Sequence, residues 1–512
     1  MSPVSVPVSA SLGRARRDPV LAAIDIGSNS FRLEIARIED GSYRRIEYVK
    51  ETVRLGAGLD DQARLTEEAA ERGRACLARF AERLAAHPIE QVRAVATQTL
   101  REARNRDDFL GEAQAALGLP IEVISGREEA RLIYAGVARL QPSKASRLVI
   151  DIGGRSTEMI LGRGVTAVRA ESFQIGSVSL SMRYFGDGRF TASAFRAAQI
   201  AAGAELEEAL GPFGRRHWRE ALGSSGTVGA VAQVLAAHQG GNGAVTPQGL
   251  RWLIERCIEA GDAASLRLPG LKDDRRPVIG GGLAILYTLA SQFGIEALRP
   301  ARGALRQGVI FDLEERLRSR SARSGSGDAR DESVRELQRR FAVDTAQAQR
   351  VAAVAAALCA GIDPGADLDA RRELLWACAL HEIGMMVSHH DHHRHSAYLV
   401  SHVDAAGFSQ SQQRRVAEMV LGQRGGLKKL GETIDDAGFA ARLLCLRLAV
   451  IACHARDGAD PPTLRLRRDG TQVVLTLADP ADHPRTLYLL GQEAQAWQRA
   501  SALRLQLSDA AA

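Results

Sequence analysis

The spacing of apolar positions changes period several times along the chain, and each change marks an element. Val20–Ile26 is apolar at every position but Asp25, the pattern of a buried strand. Phe31, Leu33 and Ile35 alternate with Arg32, Glu34 and Ala36, which predicts a second, half-exposed strand, and Tyr43–Leu55 supplies a third. Thr66 ahead of Glu67 and Glu68 reads as an N-cap with an acidic first turn, opening a helix to about Ala86. Val92–Ala96 and Ile121–Ile124 are further strands, the first leading through Thr97 to Arg101 and the second into a helix from Ser125. A similar series then repeats. Strands fall at Arg147–Ile150, Met159–Leu161 and Leu222-Gly223, with a helix over Val228–Ala237. A glycine turn, Gly280-Gly281-Gly282, precedes an apolar helix Leu283–Phe293, and another helix covers Val309–Leu317.

Beyond that point the pattern turns polar, and residues 318–328, rich in Arg, Ser and Gly, read as a linker. Helical patterns follow at Thr345–Gly361, Arg371–Ile383, Gln410–Leu421 and Ala440–His454. The chain closes with a hairpin around Asp469-Gly470, a helix near Trp497 and a strand near Leu503–Leu507. The expected organisation is a disordered tail over 1–18, α/β domains over 19–138 and 139–317, a linker over 318–332, a helical domain over 333–458 and a small α+β domain over 459–512.

Composition adds limits. With 45% hydrophobic and 25% charged residues the 512-residue chain has an ordinary globular balance. No apolar run approaches the roughly 18 residues of a membrane span, and the first 18 residues lack the charged start and apolar stretch of a signal peptide, so the cytoplasm is expected. Cys76, Cys257, Cys359, Cys378, Cys445 and Cys453 are scattered without close pairing, most of them in apolar helical patterns, which predicts buried thiols. The balance of 67 basic against 61 acidic residues, +6, favours an anionic partner. Aromatics are only 5% and no basic helix carries interleaved aromatics, so an inorganic polyanion or a phosphorylated nucleotide fits better than nucleic acid.

Two stretches carry the chemistry. Asp25-Ile26-Gly27-Ser28-Asn29-Ser30 and Asp151-Ile152-Gly153-Gly154-Arg155-Ser156 each run from a strand through an aspartate into glycine and small hydroxyl residues, and then into another strand. Such a turn exposes N–H groups to phosphate, and its aspartate suits a divalent cation, directly or through water. Two copies about one domain length apart predict an internal duplication across a cleft. Ser125 to Glu128 has capping-box spacing, which assigns Glu128 to structure. Glu129 is then the freer carboxylate, at the edge of the stripe Ala130, Ile133, Tyr134 and Val137, where partial burial tunes a base. Gly226 and Thr227 open a helix that offers N–H groups to an anion. Arg101 is either a phosphate ligand or a helix-surface arginine, and Gly280, Gly281 and Gly282 are either a nucleotide contact or a site of close packing.

Together these motifs resemble the exopolyphosphatase and guanosine pentaphosphate phosphatase family of the actin-like superfamily. The carrying residues are Asp25 to Phe31, Ser125 to Leu132, Asp151 to Glu158, Gly223 to Thr227 and Gly280 to Ala284, continuing to His381-Glu382-Ile383-Gly384 and His393 to Tyr398. The resemblance implies two actin-like, ribonuclease H-like α/β domains facing a cleft, then an all-α HD-like domain and a small α+β domain. It implies Mg²⁺, with Mn²⁺ as the alternative, held by Asp25, Asp151 and Glu158. Glu129 matches the family's catalytic position and would orient and deprotonate water. Gly27, Ser28, Asn29, Ser30, Gly153, Gly154, Ser156 and Thr157, with Arg101, Gly226 and Thr227, would grip phosphates.

The expected function is a processive exopolyphosphatase releasing orthophosphate from inorganic polyphosphate. The alternatives are a guanosine pentaphosphate phosphohydrolase and a non-catalytic sensor of guanosine tetra- or pentaphosphate. A homodimer is expected, with neither membrane nor nucleic acid as partner. Arg155 stands where the family has glycine, so it is either a strained intruder or an added phosphate clamp. The run His389 to His395 suggests metal, but the family's His-Asp pair is His381-Glu382 here, and histidines that hydrogen-bond structurally or touch polyphosphate are preferred.

Overall fold

The computed structural model describes residues 19–39, 41–239, 243–321, 328–456, 460–500 and 503–508. The expected tail, and residues 322–327 of the expected linker, lie outside these. The chain packs as two units, one of residues up to Ile121 with Leu132–Glu314, the other of Glu122–Arg131 with the chain from Glu315.

The first unit is built on two sheets of the same design. In the first, Ser42–Glu51, Phe31–Glu39, Val20–Ile26 and Gln91–Ala96 lie side by side in that order. Val20–Ile26 is antiparallel to Phe31–Glu39, placing Asp25 opposite Arg32, and parallel to Gln91–Ala96. In the second, the order is Thr166–Phe173, Thr157–Arg163, Ser146–Ile152, Glu220–Gly223 and Arg299–Pro300, with Asp151 opposite Glu158. Each sheet is thus a three-strand meander extended by parallel strands, the arrangement of an actin-like duplication. The central strand Val20–Ile26 is buried along its whole length, which is why its residues run apolar without alternation.

Two expectations fail here. Gly280, Gly281 and Gly282 are no turn: they lie inside the helix Arg276–Gln292, which opens with Pro277 in its first turn. A Cβ on Gly281 would sit 2.6 Å from the Ser177 carbonyl oxygen and 2.7 Å from the Ser181 nitrogen, so the glycine permits close approach of the helix Ser177–Tyr184. Glycines inside a helix offer no free N–H groups, and the expected nucleotide contact loses its basis. The bounds expected for the linker, 318–332, also do not hold. The helix Leu305–Ser321 runs past its expected end, and a helix Ala329–Arg340 starts from an N-cap at Asp328.

The second unit surrounds an apolar core with the helices Thr345–Ile362, Leu368–Leu380, His392–His402, Gln410–Gly422 and Ala437–Ala452. Leu466, Val473, Leu475 and Trp497 belong to the same core, which the hairpin Leu464–Asp469 and Gln472–Leu477, the helix Pro484–Ala500 and the parallel strand Arg504–Leu507 complete. Among the described residues all six cysteines are free and buried, and no helix is long and apolar enough to cross a membrane.

Candidate phosphate-binding site

The two aspartate–glycine turns meet in the first unit. A Cβ on Gly154 would stand 3.0 Å from Cβ of Ser28, and one on Gly56 would stand 2.9 Å from Ser28 and 2.9 Å from Arg155. Glycine at both positions is what lets the turns abut. Their carbonyl groups are held from behind. Gly56 N–H donates to Ser28 O at 2.7 Å and Arg54 N–H to Asn29 O at 2.9 Å, while Ser177 and Val178 donate to Gly153 and Gly154 at 2.9 and 2.8 Å. Among the described residues the amide N–H groups of Ser28, Asn29, Gly154 and Arg155 donate to no protein acceptor. A turn with anchored carbonyls and unspent N–H groups is a concavity for anions.

Several expected ligands also donate to acceptors of the protein itself. Thr157 lies within the strand, fully buried, and its hydroxyl donates to Ile175 O at 2.6 Å. Thr227 donates to Ile152 O at 3.0 Å, tying the helix Gly226–Gln239 to the residue before the second turn. Arg101 reaches Gln98 Oε1 at 2.9 and 2.6 Å, and Gln98 in turn donates to Glu102 at 2.6 Å. Arg155 extends the same network, donating through Nε to Glu102 at 2.8 Å and through Nη1 to Gly56 O at 3.1 Å. It is not among the positive-φ residues, so the strained-intruder reading is overturned, and its guanidinium already has a protein carboxylate.

The expected three-carboxylate metal site is also not assembled. Among the described residues no three His, Cys, Asp or Glu side chains stand together closely enough to hold an ion. Asp25 instead meets Arg32 at 3.0 Å and Arg306 at 3.4 Å, and Glu158, 1% exposed, accepts from Ser172 at 2.8 Å. Mg²⁺ needs only one or two carboxylates when waters and substrate phosphates complete its shell. Asp151, half-buried near the end of its strand, is the carboxylate that this arrangement fits.

A cluster of cations was not foreseen. Lys50, Lys272 and Arg275 line a pocket of 150 Å³ together with Gly226. Burial, and then the Arg275 charge, hold the Lys50 ammonium below its usual range; Arg275 is itself lowered by burial and then by Arg32. Asp274, 3.3 Å from Lys50, offsets part of this, and a further anion would relieve the repulsion that remains. Arg32 was legible, since it occupies in the first turn the place of Glu158 in the second. Lys50 and Arg275 carry no local signal, because only the fold brings residues so far apart together.

Comparison with known proteins sharpens this. The profile of the Ppx/GppA phosphatase family matches residues 34–317, and that of the family's domain III matches residues 329–494. The chain belongs to the Ppx/GppA phosphatase family. Among solved structures, an exopolyphosphatase-like protein is 27% identical over 59% of this chain and 99% of its own, with a TM-score of 0.53. An Aquifex aeolicus member of the Ppx/GppA family is 26% identical over 59% and 99%, at 0.50. An exopolyphosphatase from Cytophaga hutchinsonii, 23% identical over 57% and 97% at 0.53, supports the fold.

Two of the motifs read from the sequence fall in the second unit. Glu128 N–H donates to Ser125 Oγ at 3.2 Å, and its carboxylate takes both arms of Arg131, at 2.7 and 2.8 Å, and the Gly407 N–H at 2.8 Å. Glu128 is structural, but its carboxylate acts through Arg131 and Gly407, where the capping-box spacing predicts a bond back to the cap. Glu129, 7% exposed, follows it in the first turn of the helix Gly126–Leu140. In the histidine run, His393 is held down to about 4, by burial and then by Lys429, and burial takes His381 to about 4. His381 donates through Nδ1 to the Cys378 carbonyl at 2.7 Å, and its Nε2 stands 3.7 Å from Glu382. Burial thus favours the neutral form of both imidazoles.

Proposed function

We propose that the chain is an exopolyphosphatase, hydrolysing the terminal anhydride of inorganic polyphosphate to orthophosphate. What carries this reading is the concentration of Arg32, Lys50, Lys272 and Arg275 beside two turns with unspent N–H groups, which suits a substrate charged along its length. The turns would seat the terminal phosphates and the cations would offset their charge. Glu129 is assigned to orient and deprotonate the attacking water. Mg²⁺ entering with the substrate would be held by Asp151 and would withdraw charge from the phosphate oxygens.

One observation favours a guanosine pentaphosphate phosphohydrolase instead. A 280 Å³ pocket adjoins Asn29 and is walled by Phe185, Phe190, Pro277 and Val278, a surface suited to a nucleobase. Phosphate release from long polyphosphate and from guanosine pentaphosphate, measured side by side, decides between them. Polyphosphate is expected to be the faster substrate, and Glu129→Gln to lower turnover at least about 10²-fold with folding unchanged. Faster release from the nucleotide would select the second reading, and none from either would leave a sensor.

A further inference from the structure

The second unit holds a pocket of 390 Å³ that the proposed reaction does not use. One wall is apolar, formed by Met385, Val450, Ile451, Leu489 and Ala496. The rest of the lining is largely polar, and two of its side chains are buried with hydrogen-bonding atoms unspent. Gln423, 3% exposed, donates through Nε2 to His381 O at 2.6 Å, which fixes its amide orientation and leaves Oε1 without a partner. His392, 5% exposed, has no partner at Nδ1. Buried polar atoms left unsatisfied are costly, and two on one pocket call for a ligand that meets them.

The charges indicate which ligand. Glu382 is paired with Arg456, and Glu493 with Arg447. Arg424, exposed at the rim, makes no ion pair or side-chain hydrogen bond among the described residues, so it is the surplus cation. The volume lies within the roughly 300–1,000 Å³ of small-molecule sites. An inorganic polyanion would gain nothing from the apolar wall, and no metal cluster is present among the described residues.

We infer that this pocket binds a small organic monophosphate with a flat, donor-bearing body, of the nucleoside monophosphate class. The body lies on the wall of Val450, Ile451 and Leu489 and donates to Gln423 Oε1, while the phosphate meets Arg424.

Equilibrium dialysis of the full chain against AMP, GMP and orthophosphate tests this. One nucleoside monophosphate should bind per chain, with orthophosphate at least tenfold weaker. Arg424→Ala should weaken binding about tenfold or more, since a charge-assisted contact is lost. Ala496→Trp, which fills the pocket, should abolish it. Asp151→Asn in the first unit should leave it unchanged, and phosphate release by Arg424→Ala should match the parent. Arg424 is exposed and Ala496 half-buried, so both variants are expected to fold, which their melting temperatures verify. Absence of AMP and GMP binding overturns the inference. So does binding that survives both pocket substitutions, or orthophosphate binding as tightly as the nucleotides.

Discussion

At the scale of single residues, the duplication is informative where its copies differ. The strand register sets Asp25 against Arg32 in one turn and Asp151 against Glu158 in the other. Directly opposed side chains on neighbouring strands stand within about 5.5 Å, so the first aspartate is neutralised by its partner and the second faces another carboxylate. The first turn thus sets an opposite charge against its aspartate and the second a like charge, which is the side that the proposed Mg²⁺ would meet. Arg155 shows the same economy. Its guanidinium bridges Glu102 and Gly56, holding the second turn against the helix Gln98–Glu102 and the loop behind the first turn. Arg155→Gly is expected to lower stability by about 1 kcal/mol, the scale of a partly exposed ion pair, with KM for the phosphate substrate unchanged. Thermal unfolding and steady-state kinetics check this. A higher KM at unchanged melting temperature would make the arginine a phosphate clamp after all.

At the scale of elements, what was legible followed from periodicity. Strands such as Val20–Ile26 and Gln472–Leu477 and helices such as Thr345–Ile362 are set by local patterns, and the turns between paired strands by glycine and aspartate. The glycine triplet misled because three glycines read locally as a break, whereas Pro277 and the apolar residues on either side mark one continuous helix. The linker's C-terminal bound misled because composition cannot show burial. Asp328, 2% exposed, caps the helix Ala329–Arg340 and pairs with Arg330 at 2.8 Å and Arg372 at 2.5 Å. Burial alone would raise its carboxyl, but the Arg330 hydrogen bond and charge outweigh it and hold the group at about 2. The folded value lies below the ordinary one near 4, so this stabilisation is complete above that range and is lost as pH falls towards 2. Asp328→Asn, which leaves buried Arg330 without that counterion, should cost about 3 kcal/mol at pH 7. Urea unfolding should show the gap between parent and variant narrowing from pH 4 down to pH 2.5. A gap that stays constant would mean that the cap, not the charge, stabilises this element.

For the whole molecule, the question is how a chain of net charge +6 would hold a polymer longer than its phosphate turns. Arg465 and Arg467 alternate with buried Leu466 on the hairpin, so both point outward as an exposed basic edge. Deleting the C-terminal half would be a poor test of their role. Glu122–Arg131 packs with that half, where Glu128 accepts the Gly407 N–H and Arg127 pairs with Asp404 at 3.0 Å, so truncation would strip support from the helix that carries Glu129. Charge reversal at the surface leaves those contacts in place. If the hairpin arginines contact polyphosphate, each displaces condensed counterions, and Arg465→Glu with Arg467→Glu should reduce the slope of log affinity against log salt by about 2, by analogy with nucleic acids. Affinity for chains of hundreds of phosphates should fall, while affinity for chains too short to leave the turns, and turnover on them, should match the parent. Equal loss for long and short chains would place the effect in the phosphate turns or in folding, and unchanged binding at every length would remove the hairpin from the polymer's path.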